Sequence, residues 1–89
     1  METPKNQHQQ VIWYLLNWQH WFSLKDVIND SMFYKFQSRL GEIEREHGTI
    51  TNKKSKSFTN RFGRTSSYNV YTAIDRQKLK ELYNKLKTI

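Results

Sequence analysis

MFYKFQSRLGEIEREHGTITN, residues 32–52, holds the change of period on which the fold turns. Phe33, Phe36, Leu40 and Ile43 recur at spacings of three and four, the stripe of a helix that buries one face. The spacing predicts a helix from about Met32 to His47. Gly48 supplies its stop, because glycine alone enters positive φ without steric cost. After Gly48 the period falls to two. TITN (49–52) reads as a short strand, and YNVYTAI (68–74) alternates with Tyr68, Val70, Thr72 and Ile74 on one face. Between them KKSKSFTNRFGRTSS is polar and basic, with Gly63 as a turn residue. It predicts a long hairpin with its tip near Thr59–Gly63.

Working outward, residues 1–6 read as a frayed tail and 7–89 as one domain. Residues 7–18 form a first helix, with Val11, Tyr14, Leu15 and Trp18 as its stripe and Ile12 and Leu16 widening it. Trp13 points off that stripe, either under another element or into a dimer contact. WQHWFS (18–23) is a connector with an extended piece at Trp21 and Phe22. Ser23 fits an N-cap for a short helix from Leu24 to about Ile28. Asn29, Asp30 and Ser31 then read as the turn into the third helix. Asp75 caps a last helix, 76–87, whose stripe Leu79, Leu82, Tyr83 and Leu86 should pack on helix 1. The class is α+β.

Charge divides the chain. Residues 1–50 hold five basic and six acidic side chains, and residues 51–89 hold ten basic and two acidic. Between 51 and 74 stand Lys53, Lys54, Lys56, Arg61 and Arg64 with no acid. A basic half of this kind points to a polyanionic partner, the other reading being a solvated surface. The chain has no cysteine, which excludes disulfides, a thiolate nucleophile and Cys-ligated metal. Its three histidines, at 8, 20 and 47, have no ligand spacing, and no phosphate loop or nucleophile elbow occurs. Neither an enzyme nor a metal or cofactor is expected. No apolar run approaches the roughly 20 residues of a membrane span, and METPKNQHQQ lacks the cationic start of a signal peptide. The expected location is the cytoplasm, on the nucleoid.

Residues 24–47, with SLKDVI as supporting helix, NDS as turn and MFYKFQSRLGEIEREHG as recognition helix, resemble a winged helix-turn-helix domain. SRLGEIEREHGTI is similar to the end of the recognition helix in small winged-helix proteins of bacteria and their phages. Arg39, Leu40, Glu42, Ile43 and Gly48 are the matching positions. The resemblance covers about residues 9–74. It departs in the length of the hairpin and in the acids Glu42, Glu44 and Glu46. It implies a three-helix core, a short strand, a basic wing and a C-terminal helix, and double-stranded DNA as partner.

With the core stripe at the back of the third helix, Tyr34, Lys35, Ser38, Gly41, Glu42 and Arg45 occupy the opposite face. Tyr34, Lys35 and Ser38 would lie nearest the base edges of a major groove. Arg39, on the flank, meets phosphate or an internal acid. Glu42 accepts from a cytosine or, the commoner case, pairs with an arginine beside it. Gly41 either lets a phosphate or a helix approach or marks nothing. Lys53, Lys54, Lys56, Arg61 and Arg64 would grip backbone or minor groove. Phe58 and Phe62 are expected to fold back on the domain rather than wedge or stack. Two further partners stay open: a second copy through helix 1 and the last helix, and a protein partner if the domain is an adaptor in a replication or assembly complex.

Overall fold

The computed structural model describes residues 3–86, with elements in the order α1 (Gln7–Asn17), β1 (Phe22–Ser23), α2 (Leu24–Ser31), α3 (Phe36–His47), β2 (Thr51–Thr59), β3 (Thr65–Ala73) and α4 (Arg76–Lys85). The expected last helix reached 87, which lies outside the described residues. It is a small α+β fold with one antiparallel sheet, ordered β1-β3-β2. Among the described residues no helix is long and apolar enough to cross a membrane.

The stripe of α1 is the centre of the core, with Val11, Ile12 and Leu15 fully buried. Leu79, Leu82, Tyr83 and Leu86 of the α4 segment close over it, as their spacing predicts. Lys5 and Asn6, expected in a frayed tail, instead build the start of α1. The Asn6 side chain accepts from the Gln9 amide and donates to the Leu86 carbonyl, and Lys5 N–H donates to Gln9 Oε1. Buried Gln9 donates to the Tyr83 carbonyl at 2.9 Å, so the polar group inside is satisfied.

Phe36, the first residue of α3, joins the layers. Its ring lies 6.4 Å from Tyr14 of α1, 5.8 Å from Phe22 of β1 and 5.7 Å from Tyr71 of β3. Such ring pairs add about 0.5–1.5 kcal/mol each beyond the area they bury.

The turn lies later than Asn29, Asp30 and Ser31 suggest. These residues continue α2 to Ser31. Ser23 caps that helix as expected, reciprocally with Asp26. At its other end the Tyr14 hydroxyl donates to Asp30 Oδ2 at 2.7 Å and shares a hydrogen bond with Ser31 Oγ. Burial raises the Tyr14 pKa, the Ser31 bond opposes this, and Asp30 adds to it. A contact from another helix thus overrides the turn preference of the triplet. Met32, in the left-handed region at φ 57, ends α2 and donates to the Ile28 carbonyl. The third helix therefore starts at Phe36 rather than Met32. Tyr34 and Lys35 form the turn before it.

The hairpin is more regular than its composition suggests. Both strands run nine residues, pairing from Thr51↔Ala73 to Thr59↔Thr65. The tip falls where expected. Asn60 Oδ1 accepts from the Phe62 and Arg64 amides, the Asn60 carbonyl accepts from Gly63, and Gly63 has φ 80. This is the three-residue loop with a left-handed glycine that suits a twisted hairpin. The alternation holds, with Tyr68, Val70 and Thr72 on one face, but the core receives the opposite face. Tyr71, with Phe22, meets the core, while Tyr68 and Ile74 are exposed. Val70 is buried on the other face, beside Trp21 and Leu24. The molecule measures 47 × 23 × 22 Å, its long axis reflecting the hairpin arm.

Candidate nucleic-acid interface

Two exposed surfaces hold the residues singled out by the sequence. The first is the outer side of α3. Ser38 and Arg45 lie on it, exposed, with half-buried Gly41 between them. A Cβ added to Gly41 would meet nothing within 4 Å, so no element of the chain approaches there. Tyr34, 63% exposed, and Lys35 stand at the N-terminal mouth of the helix, off its face. Lys35 is the N-cap residue and supplies no side-chain acceptor, so the first amides of α3 lack a local cap.

Arg39 on the flank and Glu42 at the edge of that face reach toward the start of α1. Arg39 Nη1 donates to both Glu42 oxygens, at 2.8 and 3.1 Å, and Arg39 Nε donates to Gln7 Oε1. His8 Nε2 lies 2.9 Å from Glu42 Oε1. The His8 hydrogen bond first, and the Arg39 contacts second, hold the Glu42 carboxyl below its ordinary pKa. Of the two readings of Glu42, the internal pair is the one present. Arg39 is likewise engaged within the molecule.

The second surface is the arm. From Asn52 to Asn69 every side chain is exposed except Asn60, which is half-buried. Phe58 and Phe62, expected to fold back, are 55% and 76% exposed. The pairing explains this. Phe62 at the tip has only the hairpin as neighbour, and Phe58 faces an open groove, so no core receives either ring. Arg61 instead covers the Phe62 ring at 5.0 Å, and Lys54 lies 5.2 Å from the ring centre of Trp21. Among the described residues Lys56 and Arg64 have no ion pair.

Lys53 is different. Its Nζ lies 2.8 Å from Glu44 Oε1. The other Glu44 oxygen accepts from the Ile50 and Thr51 amides and the Thr51 hydroxyl, at 3.0, 3.3 and 3.0 Å. Burial raises the Glu44 pKa, but the bonds from Lys53, Ile50 and Thr51 outweigh it, and the carboxyl titrates below its ordinary value. One side chain of α3 thus fixes the root of the arm. The sequence reading passed over Glu44 because its partners lie six to nine residues away, past the helix end, where no helical spacing rule operates. Asn60 was legible: an Asn three residues before a Gly is the signature of such a tip.

The sequence-predicted residues therefore divide in four. Ser38 and Arg45 share the outer face of α3. Lys54, Lys56, Arg61 and Arg64 share the arm, with Lys53 at its root. Tyr34 and Lys35 flank the helix start, while Arg39 and Glu42 belong to an internal network. No family model matches the chain, and no curated protein or solved structure matches it.

Proposed function

We propose that the chain is a winged helix-turn-helix domain that binds double-stranded DNA. The outer face of α3 enters the major groove, and the arm lies along the backbone or in the minor groove. The element order, the β1-β3-β2 sheet and the long β2–β3 hairpin support the winged reading. One observation carries the function: the arm is cationic, exposed from Asn52 to Asn69 and free of acids, and it rises from the same end of α3 that Glu44 clamps. Phosphate would relieve the mutual repulsion of its cations and release condensed counterions.

Two of the three acids of α3 do not oppose this, while Glu46 is exposed and lies 4.0 Å from His47. Glu42 is held by Arg39 and His8, and Glu44 by Lys53 and the start of β2. Their charges are compensated inside the molecule. The base-reading set narrows to Ser38 and Arg45 on the helix, with Tyr34 and Lys35 at its mouth. Arg39 would act by fixing α3 against α1.

The test is fluorescence anisotropy with a labelled random-sequence duplex at about 50 and 200 mM salt, a span over which several phosphate contacts produce a large loss. Micromolar binding that falls steeply with salt is expected. No binding at the lower salt would turn the assignment to a protein-interaction adaptor.

A further inference from the structure

The two edges of the arm differ. The β2 strand carries Lys53, Lys54 and Lys56, charges of the kind that guard an exposed edge. The β3 strand carries none, and β1 covers only its Val70 and Tyr71. The register settles which backbone groups stay open. Ile74 N–H donates to the Ile50 carbonyl and Asn60 N–H donates to the Arg64 carbonyl. The even-numbered residues of β3 thus direct their backbone groups at β2. Ser67 and Asn69 direct theirs the opposite way, beyond the end of β1.

That open edge is one wall of a groove of about 790 Å³. Trp21, Leu24 and Lys25 form the facing wall, and Lys56, Phe58 and Tyr68 line the arm side. The acid in it, Asp26, is engaged with the Ser23 amide at 2.8 Å and the Ser23 hydroxyl at 3.2 Å. The groove therefore offers free strand hydrogen bonds, apolar surface and uncompensated cations together.

We propose that this groove binds an extended acidic segment of a partner protein, added to β3 as a further strand. Alternate backbone donors and acceptors on one strand edge match a peptide, whereas a nucleic acid has no complementary ladder. Phe58, Tyr68 and the stem of Lys56 share one face of the arm by register and, with Trp21 and Leu24, receive every second side chain of the segment, while the positive field of Lys25, Lys56 and the arm attracts the acids between them. A second copy of the chain is disfavoured, because arm-to-arm pairing would bring Lys56, Arg61 and Arg64 of both copies together. The groove shares Lys56 with the surface assigned to DNA, but its strand edge, Ser67 and Asn69, lies outside that set, so substitutions there separate the two.

The experiment uses the full chain, ¹⁵N-labelled, and a nine-residue peptide alternating Glu with Val and Phe. Two further versions are N-methylated, one at the Glu amides and the other at the apolar ones. The parent peptide is expected to shift the Ser67 and Asn69 amides and protect them from hydrogen exchange. One of the methylated versions should bind at least about tenfold more weakly, having lost the ladder. Ser67→Pro removes a groove-facing N–H at a position that spares the β2 ladder. It should weaken the peptide about tenfold while leaving duplex binding unchanged. If that variant loses the arm by circular dichroism, the methylated pair still decides. Failure of the parent to bind, equal binding by all three peptides, or tighter binding of a (dT)12 strand to the same residues would overturn the proposal.

Discussion

The helical body and the hairpin arm are stabilised by different means. In the body every element puts apolar side chains into one cluster, and Phe36 alone touches rings from α1, β1 and β3. In the arm, from Asn52 to Asn69, no side chain is buried. What holds it is the ladder to Ala73, the Asn60 turn and the Glu44 clamp at its root. An isolated two-stranded hairpin is marginal in water. A long, basic and unburied hairpin therefore contributes little to folding, and its value lies in what it contacts. The body, by contrast, is explained by its own burial.

The strongest way to break this comparison is to injure each region and ask whether the other notices. Phe36→Ala removes the ring that joins three elements. Large-to-small core changes of this type cost about 3–5 kcal/mol, most of the stability of a domain this size. The variant should show no cooperative urea transition at 25 °C. Replacing Ser55–Asn69 by a two-residue turn, which keeps Lys54 opposite Val70, should instead leave the body's melting temperature within a few degrees. A collapse of the body on arm removal would show that the arm belongs to the core after all.

In the arm itself, Lys54, Lys56, Arg61 and Arg64 changed together to Ala should flatten the salt slope of duplex binding by roughly one unit per lost phosphate contact, with the melting curve little changed. Lys53→Ala should cost less affinity than Lys56→Ala, since Glu44 already holds Lys53. Equal losses would mean that Lys53 leaves Glu44 when DNA binds. Anisotropy across a salt series measures all of these.

Where contacts are local, the sequence was readable. Ser23 and Asp75 cap their helices, Gly48 ends α3 at positive φ, and the tip lies at Asn60–Arg64. Where a distant partner decides, it was not. Asn29-Asp30-Ser31 has turn chemistry, but Tyr14 from another helix keeps it helical, and this displaced Tyr34 and Lys35 from α3. The arm was legible as a long hairpin, but the length of its strands was not, because polar residues lack the apolar alternation that marks a half-buried strand. Its pairing comes from the turn and the register, which hydropathy does not report. The pairing of Glu42 with Arg39 was legible at helical spacing, but the further partners of Glu42 and Glu44 were not. Their partners His8 and Lys53 come from other elements.

Glu44 sits at the border of the two regions, so its loss should be felt by both, though weakly. Glu44→Gln leaves a carbonyl to accept from the β2 amides but gives up the charge opposite Lys53. Hydrogen bonds to charged groups are worth about 1.5–3 kcal/mol when fully buried, and this exposed pairing should give about 1 kcal/mol. The sign with pH follows from the lowered folded-state pKa. The contribution is complete above the unfolded value, about 4.3, and disappears as pH falls through the folded value. Wild type and variant should differ at pH 7, and the difference should shrink as pH falls below the unfolded value and through the lower folded one in urea titrations. A difference that persists in acid would mean that the shape of the side chain, not its charge, sets the root of the arm.

The smallest effect concerns the body alone. Met32 is 69% exposed and holds φ 57 to end α2, so its side chain gains little from burial while its backbone is strained. The left-handed region costs a residue with a Cβ about 1–2 kcal/mol. Glycine removes that cost but adds freedom to the unfolded chain, a loss of about 0.4–1 kcal/mol. Met32→Gly should therefore stabilise the body by about 0.5 kcal/mol, a rise of a few degrees in melting temperature. Because the turn fixes where α3 begins, the same substitution should leave arm-dependent DNA affinity unchanged. Destabilisation would show that the Met32 side chain has packing that its exposure does not suggest. A change in affinity without a change in stability would show that Tyr34 and Lys35 depend on the rigidity of that turn.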